Sequence, residues 1–544
     1  MAAGPAARIR GRRVRRRGAL APLPTALGLV TALLLGGCGL TGDDGPGDDE
    51  RVVVGMTDEV LATDPASGYD PGSWLVFNNV FQSLLSFPPG GTEPQPEAAR
   101  SCGFTDRVSQ RFTCTLREDL TFSNGHELTS RDVKFSFDRT LGINDPDGPA
   151  VMLSTIDRIE TPDDRTVTFH LNQPDATFPQ KIASGAGSIV DHRSYPADEL
   201  RTDGEAVGSG VYTLESYGDG EAVFAANDDY QGPAEPKNAE VTLRLFHGDQ
   251  QALKTAVENG EVDVAYRGLA ASDIAELESS TIAGGSRVKV VDGTSAEVQH
   301  LVFNMDDPVT GDIGVRRAIA HLIDRGTLTR DVYRRTAEPL YSVVPVGITG
   351  HNTAFFDTYG DLPRPDLAEE ALRDAGHTDP VELTLWVTPA RFGPDTEAAF
   401  EYIADQLNAS GLFDASVRSV PADEFAEGVS NGDYGAYVRG WVPDYPDPDN
   451  FTAPFFGEGN VLENNYESPR ITDELIPRTE QESDRGQTVE DFATLQDIVA
   501  DELPLIPLWQ GKQYAVAADD IDGLQWTLDA STVFRFWEIG KSES

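Results

Sequence analysis

Three cysteines, eight histidines and ninety acidic side chains are among the chain's nucleophiles, metal ligands and proton carriers. The cysteines stand at Cys38, Cys102 and Cys114. The twelve-residue step between the last two fits no zinc pattern, and no histidine pair lies nearby at ligand spacing. The histidines (His126, His170, His192, His247, His300, His321, His351 and His377) are scattered without a close pair. No Gly-x-Ser-x-Gly elbow, His-Glu-x-x-His helix or Gly-x-x-x-x-Gly-Lys phosphate loop occurs. The expectation is therefore no catalytic residue, no metal site and no cofactor; a hydrolase assembled from distant segments is the alternative left open. The densest group of chemistry-bearing residues is Gly440–Asn450 (GWVPDYPDPDN), with three aspartates among three prolines. It lacks the glycine-turned spacing of a calcium loop. Taken alone, Asp444 is an ordinary turn aspartate.

Charge and order along the chain say where such a loop would work. With 43 basic and 90 acidic residues the 544-residue chain has a net charge of −47, which disfavours nucleic acid as a ligand. Residues 1–37 hold seven arginines and no acid, so the remainder stands at −54. This basic start runs into the apolar stretch Ala19–Leu35, the layout of an export signal. The stretch ends in Leu35-Gly36-Gly37-Cys38, which resembles the lipobox of bacterial lipoproteins. That resemblance implies removal of residues 1–37, lipidation of Cys38 and a membrane-held new N-terminus; an uncleaved single-pass anchor is the alternative. Arg16-Arg17 leaves Sec and twin-arginine export both open. Residues 39–50, all small, acidic or helix-breaking, read as a flexible tether. Either reading puts the bulk of the chain outside the cytoplasm. In that oxidising setting Cys102 and Cys114 most simply form a disulfide, with Phe104–Phe112 turning back as a hairpin, and two free thiols as the alternative.

With 39% hydrophobic and 8% aromatic residues, the chain can bury the cores of two to four domains. Arg51–Met56, Thr166–Leu171, Val241–Phe246, Leu383–Val387 and Ala415–Val420 read as strands. Trp74–Phe87, Gln250–Asn259, Val315–Arg325, Asp366–Ala375 and Thr396–Ser410 carry apolar residues at helical spacing. Such alternation over some 490 residues predicts an α/β protein with more than one lobe.

Five segments in order carry a resemblance. Leu120–Arg139 (LTFSNGHELTSRDVKFSFDR) offers a turn at Asn124-Gly125, a cap at Thr129 or Ser130, and a helix. Gly208–Tyr212 (GSGVY) is a glycine turn into a strand. Phe303–Met305 with Asp312–Arg325 reads as a crossing strand and a helix. Gly440–Asn450 is the loop above, and Leu503–Leu508 (LPLIPL) a returning strand. Together they resemble the extracytoplasmic solute-binding proteins of peptide-type ABC transporters. The resemblance implies a two-lobed, periplasmic-binding-protein-like clamp with an extra subdomain and an interlobe hinge. Lobe I would be residues 51–93, 208–303 and 507–544, the extra subdomain 94–207, and lobe II 304–506. It implies a substrate-binding component of an ABC importer, with peptides or another solute as ligand and membrane permease subunits as partners. A monomer is expected. By position Asp444, three residues after Trp441, would take a peptide's ammonium, and Trp441 would line a side-chain pocket. Arg439 would face the far carboxylate, although it lies two residues before the tryptophan rather than three. Tyr445, Tyr69, Trp74 and Trp509 complete the implied cleft. The same family also carries nickel chelates, sugars and other solutes.

Overall fold

The computed structural model describes residues 51–282, 287–393 and 395–542. The segments expected to be an export signal and a tether, and Cys38, lie outside the described residues. Among those described, eleven strands form one mixed sheet: β1 (Arg51–Met56), β2 (Tyr212–Gly218), β3 (Glu221–Ala226), β4 (Glu240–Leu245), β5 (Val264–Tyr266), β6 (Val288–Phe303), β7 (Ala337–Pro339), β8 (Val381–Val387), β9 (Phe413–Ser419), β10 (Ala436–Trp441) and β11 (Leu505–Ala518). Their spatial order is β9-β8-β10-β6-β11-β5-β1-β4-β3-β2, with β7 added on β11. The long antiparallel partners β6 and β11 sit at its centre, so everything on one side of the sheet joins the other through them.

The hydrophobic pattern explains the layers. RVVVGM pairs in parallel with both β4 and β5 and is buried on both faces, as a central strand of β-branched residues should be. A Cβ on Gly55 would come within 2.8 Å of Leu253, which is how closely helix Gln250–Asn259 packs on β1. That helix ends at Gly260 with φ +72, the left-handed conformation glycine adopts without strain. A second sheet, in the order Ala99–Phe104, Arg111–Leu116, Thr166–Leu171, Ile156–Asp163, stands apart from the first. Its hairpin places Cys102 opposite Cys114, and the two form a disulfide.

Three large cores lie over these sheets. One gathers Val52, Phe77, Tyr212, Phe224, Leu243 and Phe536. Another gathers Leu301, Ile319, Leu385, Phe400, Tyr437 and Ile506. The third, around the smaller sheet, gathers Phe112, Cys114, Val133, Phe137, Phe169 and Phe178. Among the described residues no helix is long and apolar enough to cross a membrane.

One expected helix is displaced. Instead of Trp74–Phe87, the helix is Pro71–Val80; it starts on Asp70, whose side chain accepts from the Ser73 amide, with Pro71 in the first turn. Leu85–Ser86 beyond it pairs as a short strand with Gln95–Pro96. Phe81, Leu84, Leu85 and Phe87 are buried, and burial alone does not distinguish helix from strand. Likewise Val315–Arg325 resolves into Ile313–Leu322 and a second helix, Arg325–Asp331, restarted by an Asp324 cap.

Candidate functional site

β10 delivers the loop. Its last residue, Trp441, pairs with Val298 of β6, and the prolines that follow keep the chain from continuing as strand. Asn450, in the 3-10 turn Pro448–Phe451, then ties the loop back. Its Oδ1 accepts from Trp441 Nε1 at 2.9 Å and from the Asp444 amide at 3.1 Å, while its Nδ2 donates to Asp444 Oδ2 at 3.3 Å. One side chain thus fixes both the indole and the carboxylate.

The other oxygen of Asp444 is held from a segment far away in sequence. Tyr69 donates its hydroxyl to Asp444 Oδ1 at 2.6 Å. Tyr69 precedes helix Pro71–Val80, and its ring lies 5.5 Å from that of Trp74. Trp74 in turn rests on Gly185, where a Cβ would meet the indole at 2.8 Å, so a side chain there would push the ring away. Trp74 Nε1 is buried without a hydrogen-bond partner among the described residues.

Tyr69, Trp74, Trp441 and Asp444 line one cavity of about 390 Å³, together with Phe534 and Arg267. Loss of water around Asp444 pushes its carboxyl above the usual range, and the Tyr69 and Asn450 bonds pull it partly back. The Tyr69 hydroxyl is pushed well above its ordinary value by burial and by the adjacent carboxylate. A second cavity of about 740 Å³ shares Tyr266, Arg267, Val442 and Thr532 with the first. Its wall carries Asp58, Glu297, Asp395 and Trp509. Arg267 Nε is ion-paired with Asp58 Oδ2. Burial raises the Glu297 carboxyl, with Arg267 opposing and Asp58 adding to the shift.

Of the residues singled out in the sequence, Tyr69, Trp74, Trp441 and Asp444 therefore come together. Trp509 lies on the second cavity, where Nε1 donates to Gln299 at 3.1 Å and the ring packs on Tyr333 at 4.9 Å. Two others do not line either cavity. Arg439 sits inside β10 opposite His300, mostly buried, and its Nη2 donates to the Val461 carbonyl. Counting positions from the tryptophan ignored that the strand commits this side chain to the protein. Tyr445 turns the opposite way from Asp444 and joins the core of Phe112, Phe169 and Phe178. Asn450, Arg267, Asp58 and Glu297 were not singled out as binding residues. Asn450 was within reach of local reasoning, being six residues from Asp444, whereas the other three converge only through the fold.

Asp444 and Asp447 of the loop serve separate partners. Asp447 is paired with Arg485 at 2.8 Å, and Asp444 is bonded as above. Elsewhere, Asp132, Asp191 and His192 place ligand-type atoms within 4.8 Å of one another. These atoms already serve internal bonds: His192 Nδ1 meets Asp132 at 2.5 Å, and Asp191 holds His126, Asn124 and Ser194.

Residues 93–463 match the family described as bacterial extracellular solute-binding proteins, family 5 Middle. The chain is 25% identical over 511 residues to the probable D,D-dipeptide-binding periplasmic protein DdpA of Escherichia coli (strain K12), covering 90% of this chain and 94% of that one. It is 24% identical over 494 residues to heme-binding protein A of Haemophilus influenzae, covering 84% and 85%. The fold is similar to that of the ABC transporter-associated periplasmic binding protein DppA from Helicobacter pylori in complex with the peptide STSA. That similarity has a TM-score of 0.72 at 21% identity and covers 91% and 98% of the two chains. The two-lobed periplasmic-binding-protein fold is thereby established for the chain.

Proposed function

The chain belongs to the bacterial extracellular solute-binding proteins of family 5, and we propose that it captures short peptides for an ABC importer. The observation that carries the peptide reading is Asp444: a half-buried carboxylate on a cavity wall, oriented by Tyr69 and Asn450. A carboxylate so placed is stabilised by an ammonium that arrives with its own hydrogen-bond donors. The indoles of Trp441 and Trp74 offer apolar area for the first side chain with little entropy to lose. A relative named for a dipeptide and a similar structure holding a peptide support this reading. A relative named for heme makes a non-peptide solute in the same cavity the second reading.

The mechanism is capture, closure and handover, with no bond made or broken. Tyr69 and Asp444 come from opposite sides of β6 and β11, and their hydrogen bond spans the cleft. We take lobe I as 51–93, 208–303 and 507–544, the subdomain as 94–207 and lobe II as 304–506, although Leu301 and Phe303 pack in the core of Ile319 and Phe400, and Leu84, Leu85 and Phe87 in that of Phe112 and Phe169. The crossings near Phe303-Asn304 and Leu508-Trp509 then act as the hinge about which the lobes close. We place the protein as a monomer on the extracytoplasmic face, anchored through a lipid on Cys38 and meeting permease subunits there. Cys38→Ser should release it from membranes into the soluble fraction, and continued membrane retention would remove the anchor from this account.

Mass spectrometry of the purified protein, native and then denatured, tests the ligand class. Released masses matching short peptides are expected. A single defined non-peptide molecule would replace the peptide reading while leaving the clamp.

A further inference from the structure

The second cavity carries a charge that the Asp444 loop does not use. Glu297 lies where the pairing of β6 with β11 breaks between Thr294 and Val298. Such an irregularity takes a side chain out of strand alternation and re-aims it, and here the side chain lines the cavity. The bulge is held in place: the Glu297 amide donates to Ser295 Oγ at 3.0 Å, and Gln510 Nε2 donates to the Ser295 carbonyl at 2.7 Å. Among the described residues no hydrogen bond reaches the Glu297 carboxylate.

The cations on the same wall are already engaged. Arg267 is paired with Asp58, and Lys512 lies 3.3 Å from Glu338 and 3.5 Å from Asp292. The Arg267 pair is also fixed to the scaffold. Arg267 has φ +57, Gly268 follows at φ +100, and a Cβ on Gly268 would meet Thr57 Oγ1 at 1.8 Å. An anionic ligand group would have to displace Asp58 from Arg267 beside a second carboxylate. A cationic group meets a carboxylate that lacks a donor.

We propose that Glu297 is a specificity-determining residue that seats a cationic side chain of the ligand, of the lysine, ornithine or arginine type, while Asp444 holds the peptide's ammonium. This rests on the peptide reading and deepens it. The two cavities share Tyr266, Arg267, Val442 and Thr532 in their linings and so adjoin, and the proposal requires one ligand to extend across them. The whole-chain charge of −47 acts in the same direction, concentrating cations and repelling anions at long range.

The test is calorimetric titration of the full chain with two peptides of near-equal shape, alanyl-lysine and alanyl-norleucine, each in both residue orders. The wild type should bind the lysine peptide at least about tenfold more tightly, the range of one desolvated charge contact. Glu297→Gln should level the pair by weakening only the lysine peptide, whereas Asp444→Asn should weaken both. Equal binding of the two peptides by the wild type, a comparison that needs no variant to fold, overturns the proposal and leaves the peptide reading intact. An equal loss for both peptides in Glu297→Gln overturns it as well. Silence from every peptide removes the peptide reading and this proposal with it.

Discussion

Asp444 is the residue on which peptide capture depends, and its surroundings set what its loss would do. Asparagine keeps the shape and can still accept from Tyr69, so the fold should survive Asp444→Asn with a nearly unchanged melting temperature. Peptide affinity should fall by about 2–5 kcal/mol, because a desolvated ammonium loses its counter-charge. Titration calorimetry with a bound-competent peptide checks this, and undiminished affinity would mean that the ammonium is held elsewhere. Tyr69→Phe has a subtler signature. The Tyr69 bond holds the Asp444 carboxyl down against the effect of burial, with Asn450 and Lys181 acting in the same direction. Its removal raises that carboxyl further, so binding should begin to fail at a higher pH than in the wild type as the solution is acidified. Affinity profiles of the two proteins from pH 8 to pH 4 compare them, and coincident profiles would contradict the role given to Tyr69. At this scale the sequence was half legible. Trp441 and Asp444 share one short loop and could be found by spacing, but Tyr69 is 375 positions away. Arg439 misled because a charge beside a binding loop looks available until strand pairing commits it to the Val461 carbonyl.

Among the elements, helix Ser130–Ile143 shows why a strong sequence pattern need not mark a binding site. Thr129 donates from its amide and its hydroxyl to Asp132 at 2.8 and 2.9 Å, a reciprocal start that the cap residues foretold. Near its end Arg139 forms a two-pronged pair with Asp64, at 2.7 and 2.6 Å, beneath the ring of Tyr195. Both partners are buried, so Arg139, the residue that closes the segment Leu120–Arg139, serves to dock the helix on the loop after β1. Breaking a buried pair leaves one charge stranded, which costs about 3–5 kcal/mol. Arg139→Ala should therefore lower stability to denaturant by that amount while the folded fraction keeps its peptide affinity. A selective loss of affinity at unchanged stability would instead place Arg139 in the binding machinery. Helices with a polar face and a glycine or aspartate at their ends, such as Gln250–Asn259 and Thr396–Ala409, were readable to within a residue. Pro71–Val80 was not, because the apolar run continues past the helix into residues that are buried on extended backbone.

For the whole molecule, the joint between the smaller-sheet region and the segment after the binding loop is where pH should act. Asp175 and Lys181 face Asp447, Asp449, Glu480 and Arg485 there, and the backbone crosses it from Ala176 to the Glu480 carbonyl at 2.8 Å. Four carboxyls share two cations. Burial pushes Asp449 up to about 6, with Arg485 opposing, and pushes Glu480 up to about 7, with Asp449 and Asp175 adding to the shift. Each group is thus more basic folded than unfolded, so the native state holds protons that the unfolded chain releases. Stability from these groups is complete below their unfolded values and is lost as pH rises through about 6 to 7. For Asp449 the loss is on the order of 2–3 kcal/mol. The melting temperature should therefore be higher at pH 5 than at pH 8, a trend that general relief of the −47 charge would also produce. Asp449→Asn separates the two causes. Asp447 keeps its 2.8 Å pair with Arg485, so the joint stays closed, and the variant should gain stability at pH 8 and show a flatter profile. An unchanged pH slope would assign the trend to overall charge and leave this joint out of it. Peptide binding should move the opposite way, since acid neutralises Asp444. A pH at which the clamp is most stable yet binds least would show the two carboxyl systems acting in opposite senses, although both feel Lys181.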